Sequence, residues 1–317
     1  MKASQLTLAV LLTAAFGSAY AVEVQGGSSN TKAIKVGSSS LIPFGAGRAG
    51  IAISNAADGN YSFSVNLENG PARRIRDKYG RTPINGGNQN ANVNGTANPK
   101  YLTPGDVNPV LGWFSSEKLG QVWYEKRANN TEVFSVRQMA ELSEAGLLKK
   151  APKFGGMTFA KVPTAATNVF FGEWAPRKGN PPDNSTDLNM DDDNRTVWFV
   201  GENPTKNTTG LATATYNVVG INKHTPGKND FYTGEITATF GTNKFGSMSG
   251  ALKRAGDKDL SFNGVEINNA DGLFKSGAGN HEKIQGRFYG KGAAAMAGYA
   301  ERGNGVGDDV AFGGAKK

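Results

Sequence analysis

From Val22 onward, apolar and polar residues alternate in short runs punctuated by Gly and Asn, the period-2 pattern of half-buried strands in antiparallel sheets. The clearest cases are Thr213-Ala214-Thr215-Tyr216-Asn217-Val218-Val219 and Glu235-Ile236-Thr237-Ala238-Thr239-Phe240. One stretch breaks the alternation. Across 134–149, Met139, Leu142, Leu147 and Leu148 stand with Ala140 and Ala145 among Glu and Lys, a spacing that predicts a helix with Ser135 as N-cap and Gly146 near its end. Two polar stretches, 80–109 and 176–194, are rich in Asn, Gly, Pro and Asp and predict long connections. Between the second stretch and the turn at Gly201-Glu202-Asn203-Pro204-Thr205, Val197-Trp198-Phe199-Val200 predicts a strand.

Beyond Thr209 the predicted strands come at short, regular intervals: 211–219, 231–240, 247–252, 259–267, 272–274, 283–289, 294–300 and 309–312. Consecutive short strands with brief Gly- and Asn-rich connections predict an up-and-down barrel, which removes exposed sheet edges. A barrel of that size is filled by its own side chains. The fold class is therefore mainly β: an N-terminal β-rich part with a small helix, over 22–205, and a C-terminal eight-stranded antiparallel β-barrel over 206–317.

The first 21 residues belong to neither domain. Lys2 forms a basic start, 6–16 is an apolar run, and Ala19-Tyr20-Ala21 is a small-x-small cleavage pattern, which together predict a signal peptide cut after Ala21 and a secreted product. The run is too short to span a bilayer and nothing downstream approaches that length, so no membrane span is expected.

Composition narrows the chemistry. The 317 residues include no Cys and two His, which excludes disulfides, thiol nucleophiles, Cys-bound zinc, iron–sulfur clusters, a His-cluster metal site and a lipid anchored on cysteine. The formal charge of +8 is spread along the chain and gives no focused nucleic-acid footprint. Its one dense cluster, Arg73, Arg74, Arg76, Lys78 and Arg81, is expected as a solvated loop. The Asp191-Asp192-Asp193 run lacks the spacing of a calcium loop and is expected as an acidic surface turn. There is no G-x-S-x-G elbow and no phosphate-binding P-loop, and Glu141 and Glu144 share a helix face without further support, so no enzyme is expected.

The C-terminal residues carry a family likeness. Ile284-Gln285-Gly286-Arg287-Phe288-Tyr289-Gly290, the Ala-rich Ala293-Ala294-Ala295-Met296-Ala297-Gly298-Tyr299 and the ending Val310-Ala311-Phe312-Gly313-Gly314-Ala315-Lys316 resemble the closing strands of the transferrin-binding-protein-B-like barrel. The run from Val197 to Tyr216 resembles the entry to that barrel in Slam-dependent secreted proteins. The resemblance implies a handle that selects the ligand and a barrel recognised by a Slam-type outer-membrane translocon. An unlipidated member resembles the hemophilins, soluble hemophores that take up heme and pass it to a TonB-dependent receptor.

Heme would need an axial ligand and cationic partners for its propionates. His224 and His281 lie in polar turns and are expected as surface histidines, so a ligand on the handle would be Tyr79 or Tyr101, which bracket the 80–109 stretch, or Met139. Arg73, Arg74 and Arg76 stand just before that stretch as propionate partners. Two readings stay open: a carrier of heme or another metal-bearing small molecule, and a binder of a host protein.

Overall fold

The computed structural model describes residues 22–40, 44–54, 64–79, 100–107, 117–139, 154–180, 182, 185–277, 282–303 and 305–317. The N-terminal part is built on one antiparallel sheet. From edge to edge it runs β1 (Val24–Ser28), β10 (Thr196–Glu202), β9 (Val169–Ala175), β8 (Gly156–Lys161), β7 (Glu132–Gln138), β6 (Gly120–Lys126) and β5 (Lys100–Leu102). Apart from β1, these strands follow chain order across the sheet as a meander. The first strand of the described chain returns to pair with the last strand of the sheet, Val24 opposite Glu202. A second sheet of three strands, β2 (Ile34–Ser38), β3 (Ala49–Ile53) and β4 (Val65–Asn66), accompanies helix α1 (Pro71–Tyr79) and the short helix α2 (Pro104–Val107).

The large sheet is covered on both faces. Val122, Tyr124, Phe134, Val136, Phe159, Phe170, Trp174 and Trp198 pack with Ile34, Ile51, Leu67, Ala72 and Ile75 of the small sheet and α1. On the opposite face Val133, Ala160, Val169, Phe171, Val197 and Phe199 pack on the wall of the barrel. Both β9 and β10 are consequently buried at every position, and their sequences lose the alternation that marks a one-sided strand.

The barrel consists of β11 (Ala214–Ile221), β12 (Tyr232–Thr239), β13 (Phe245–Leu252), β15 (Val265–Asn268), β16 (Leu273–Ser276), β17 (Lys283–Tyr289), β18 (Ala295–Glu301) and β19 (Val310–Lys316), all antiparallel, as the spacing predicts. Pairing of β12 with β13 completes the ring, and β11 with β19 joins its first and last strands. Its interior is filled by aromatic side chains in edge-to-face contact, including Phe240 on Phe288 at 5.1 Å and Phe262 on Phe312 at 5.0 Å. The segment expected as a single strand over 259–267 is two. Gly264 at φ 85° turns the chain after Asn263, so β14 (Leu260–Ser261) pairs with β13 and β15 starts a new course.

Two other expectations are corrected. The segment beginning at 134 is strand β7, not a helix, and Ser135 is a mid-strand residue whose hydroxyl meets that of Thr158 at 3.1 Å; residues 140–149 lie outside the described residues. The β-branched and aromatic Val133, Phe134 and Val136 fit a sheet buried on both sides, where helical and extended apolar patterns look alike. A helix forms on the arginine cluster, where a solvated loop is expected. Pro71 starts it, Ala72 and Ile75 form its buried stripe, and Arg76 and Lys78 occupy its last turn, where cations complement the helix dipole.

Close approach of barrel and sheet depends on two glycines. A Cβ at Gly313 would lie 2.5 Å from the Phe171 ring, and one at Gly201 2.6 Å from the Tyr289 ring. Gly313→Ala should therefore push the layers apart and cost about 1–3 kcal/mol of stability in urea unfolding. Unfolding free energy equal to that of the parent would show that the two layers are not packed this closely.

Candidate functional site

Helix α1 lies across the sheet by way of Glu132. The Arg76 Nη1 donates to Glu132 Oε1 at 2.6 Å, Arg73 Nη1 donates to Oε2 at 3.3 Å, and the Tyr124 hydroxyl donates to Oε1 at 2.9 Å. Arg73 also pairs with Glu68 at 3.1 Å, and Lys161 reaches the same Glu68 oxygen at 2.8 Å. The remaining edge of Arg76 holds Asp77 through Nε and Nη2, at 3.0 and 2.8 Å. Both guanidinium groups sit over the Phe134 ring, and Arg74 lies 4.3 Å over Phe44. Burial raises the Glu132 carboxyl, but Arg73 and Arg76 outweigh it and hold the group below its ordinary value; burial and the Glu132 bond push Tyr124 up to about 12. Arg73 and Arg76, expected in a solvated loop, thus lie on a buried, charge-paired helix face, while Lys78 is exposed and Arg81 lies outside the described residues.

The register separates the residues proposed for one ligand. Tyr101 pairs with Gln121, which alternates with Val122 and Tyr124, so Tyr101 belongs to the face opposite Glu132, Arg73 and Arg76. Its half-buried ring carries the Lys118 ammonium at 4.1 Å. Met139 follows β7, its N–H donating to Leu119 O and its carbonyl accepting from Arg177. Tyr79 ends α1, and its side chain lies outside the described residues. Arg73 and Arg76 are engaged with carboxylates, and the phenol of Tyr101 is on the other side of the sheet. The described residues do not bring together an axial ligand and propionate partners for heme. Among the described residues there is also no cluster of three or more His, Asp or Glu that could hold a metal ion.

A second group of buried charges lies where sheet meets barrel. His224, expected at the surface, is buried in the turn between β11 and β12, its Nδ1 2.5 Å from Asp230 and its Nε2 3.5 Å from Glu125 on β6. The backbone N–H groups of Lys223 and His224 donate to Glu173 on β9, at 2.8 and 2.7 Å, and that of Gly227 donates to Glu125 at 2.7 Å. Arg195 forks onto Glu173 through Nε and Nη2 and donates to the carbonyls of Val306 and Asp309 at 2.5 and 2.8 Å. The imidazole stacks on Phe231 at 4.3 Å, with Arg127 over the same ring at 4.3 Å. Burial favours the neutral imidazole, but the bonds to Asp230 and Glu125 prevail and push His224 up to about 9. Burial also pushes the Asp309 carboxyl up to about 6. Glu173 and Arg195 could be suspected from sequence only as charges beside apolar runs. His281 lies outside the described residues.

The two ends of the large sheet differ. At one end β6–β7 and β8–β9 are joined by the short turns 127–131 and 162–168. At the other end the chain enters β6 through 103–119, links β7 to β8 through 139–155 and links β9 to β10 through 176–195. In the last of these connectors Leu188 and Met190 pack on Trp123 and Ala175. An open cleft of about 430 Å³ lies between its residues 185–191 and the barrel turn at 223–225. In the acidic run, Asp191 pairs with Lys223 at 2.7 Å, and Asp192 accepts from the Asn194 backbone and from Asn189.

No protein-family model matches the chain. Among solved structures it is similar to HpuA from Kingella denitrificans, determined in complex with human haemoglobin, at 13% identity and a TM-score of 0.42, over 95% of this chain and 89% of that one. It is also similar to isotype 1 transferrin-binding protein B from serogroup B Neisseria meningitidis, at 11% identity and a TM-score of 0.28, over 64% of this chain and 51% of that one.

Removing the carboxylate that α1 rests on should leave two buried guanidinium groups without their shared partner. Glu132→Gln is expected to cost about 3 kcal/mol in denaturant unfolding; a cost near zero would mean that the arginines do not depend on it. The junction should titrate. His224 is held protonated, so its contribution is complete below its unfolded value near 6.5 and is lost as pH rises toward 9, on the order of 3 kcal/mol. Asp309 has the same sign over a lower window, since its folded form keeps a proton between about 4 and 6 that the unfolded chain releases. Melting temperatures should fall between pH 6.5 and 9 in the parent and stay flat over that window in His224→Gln; parallel curves would exclude His224 as the titrating group.

Proposed function

We propose that this chain is an exported binding protein that captures a protein partner at the end of the large sheet from which its long connectors leave. One observation carries the reading: connectors 103–119, 139–155 and 176–195 leave the same end of a sheet whose opposite end closes in short turns. Long connectors on a rigid scaffold are where binding residues concentrate. The scaffold is rigid because the sheet is packed on both faces, by α1 and the small sheet on one side and by the barrel on the other. Paired charges at Glu132 and Glu173 reinforce both contacts.

The heme-carrier reading draws less support, because Arg73 and Arg76 are already paired with carboxylates and Tyr101 faces away from them. Uptake of heme and transfer to a TonB-dependent receptor is the competing outcome of the same experiment, and recognition of the barrel by a Slam-type translocon accords with either.

The chain would be assayed against haemoglobin, transferrin and hemin as probes. Saturable binding to one of the proteins is expected, weakened about tenfold by Lys118→Glu with Lys178→Glu at the connector end and unaffected by Thr164→Ala in the opposite turn. A one-to-one Soret shift with hemin, and no binding to either protein, would replace this reading with the carrier.

A further inference from the structure

One edge of the large sheet is formed by a strand from the far end of the described chain. β1 pairs with β10 from Val24 opposite Glu202 to Ser28 opposite Trp198, and Ser29 extends the pairing, its N–H donating to the Val197 carbonyl at 2.9 Å. Two barrel tyrosines reach the backbone of β1. The Tyr289 hydroxyl donates to the Gln25 carbonyl at 3.0 Å and the Tyr299 hydroxyl to the Ser28 carbonyl at 3.2 Å. A Cβ at Gly26 would approach the Phe199 carbonyl to 2.1 Å, and one at Gly27 the Phe199 ring to 2.9 Å, so this slot takes an extended segment with two successive glycines.

Side chains add little to the fit. Val24 packs at the margin of the core, Gln25 bonds to the neighbouring Glu23, and of the five residues of β1 only Ser28 is buried. An edge strand held through its main chain is the form in which sheets accept a segment from another chain, and a terminal strand with little buried surface is among the first parts of a fold to open. The link from β1 to β2 is a single turn. The Asn30 carbonyl accepts from the Ala33 and Ile34 N–H groups at 3.1 and 3.0 Å, the Asn30 side chain accepts from the Lys32 N–H at 3.1 Å, and Thr31 and Lys32 are exposed. Straightening that turn carries β1 away from the fold and leaves the slot in place.

We infer that β1 is an exchangeable strand, and that the slot formed by β10, Tyr289 and Tyr299 accepts β1 from a second copy of this chain. Every contact that β1 makes to the slot within one chain is remade between two, so exchange sacrifices only the turn at 30–33 and the freedom of the separate copies. A short hinge favours such exchange. The glycine pair selects the occupant, because a strand with a side chain at either position meets the Phe199 carbonyl or its ring.

The test uses the chain from Val22, which contains every described residue. Light scattering of the concentrated parent should show a dimer that forms slowly and reverts slowly on dilution. Ala33→Pro removes one donor from the turn and drives Lys32 toward an extended backbone, so it should raise the dimer fraction about tenfold at equal concentration. An excess of a synthetic peptide of residues 22–29 should suppress the dimer and co-elute with the monomer, and the same peptide with Gly26→Val and Gly27→Val should do neither. A dimer that ignores the first peptide would overturn the proposal by assigning the association to another surface. Parent chain that stays monomeric and takes up no peptide would overturn it as well, and that measurement decides the matter if Ala33→Pro does not fold.

Discussion

Burial of the large sheet on both faces constrains the rest of the structure. An antiparallel sheet ordinarily keeps one face for water, and its polar positions need no partners there. Here α1 and the small sheet occupy one face and the barrel the other, so each charged side chain on an inner strand must find a partner or bear the cost of desolvation. Glu132 meets that requirement with Arg73 and Arg76, and Glu173 with Arg195. Glu125 does so with the Gly227 N–H and the charged His224. These groups mark the places where the outer layers are fastened to the central one.

The two fastenings differ in kind. On the helix side, long flexible arginines converge on one carboxylate, with aromatic rings beneath their guanidinium groups. On the barrel side, the carboxylates mostly receive backbone N–H groups of a single turn, which fixes position more tightly than side-chain pairing. Phe231, between His224 and Arg127, closes that turn against water. The barrel is thereby held as a third layer of the same body. The strand ends from which the long connectors leave thus belong to a scaffold that has little freedom to move.

Much of this was legible in the chain. Glycine-punctuated alternation after Thr209 marked the barrel strands closely, because each has one face in the barrel core and, for most of its circumference, another in solvent. The misreadings cluster where that condition fails. In β7, Phe134 and Val136 face one layer and Val133 another, so the period that distinguishes strand from helix is erased. Arg73, Arg74 and Arg76 look like a solvated run because nothing local announces Glu132, more than fifty positions away in the chain and adjacent in space. His224 sits among Asn, Lys, Thr and Pro, a surface context by composition, and is buried only because the sheet lies over its turn.

The sequence by itself determined the mainly β class, the eight-stranded barrel and the absence of cysteine chemistry, since each depends on composition or on a period of two read over a few neighbours. Tertiary structure alone decided which charges are available to a ligand and which are already paired. It also decided that Tyr101 and the arginines stand on opposite faces, and that β1 returns to pair with β10. Those outcomes depend on strand register and on layers packed from distant segments, where a shift of one residue would carry every side chain to the other face.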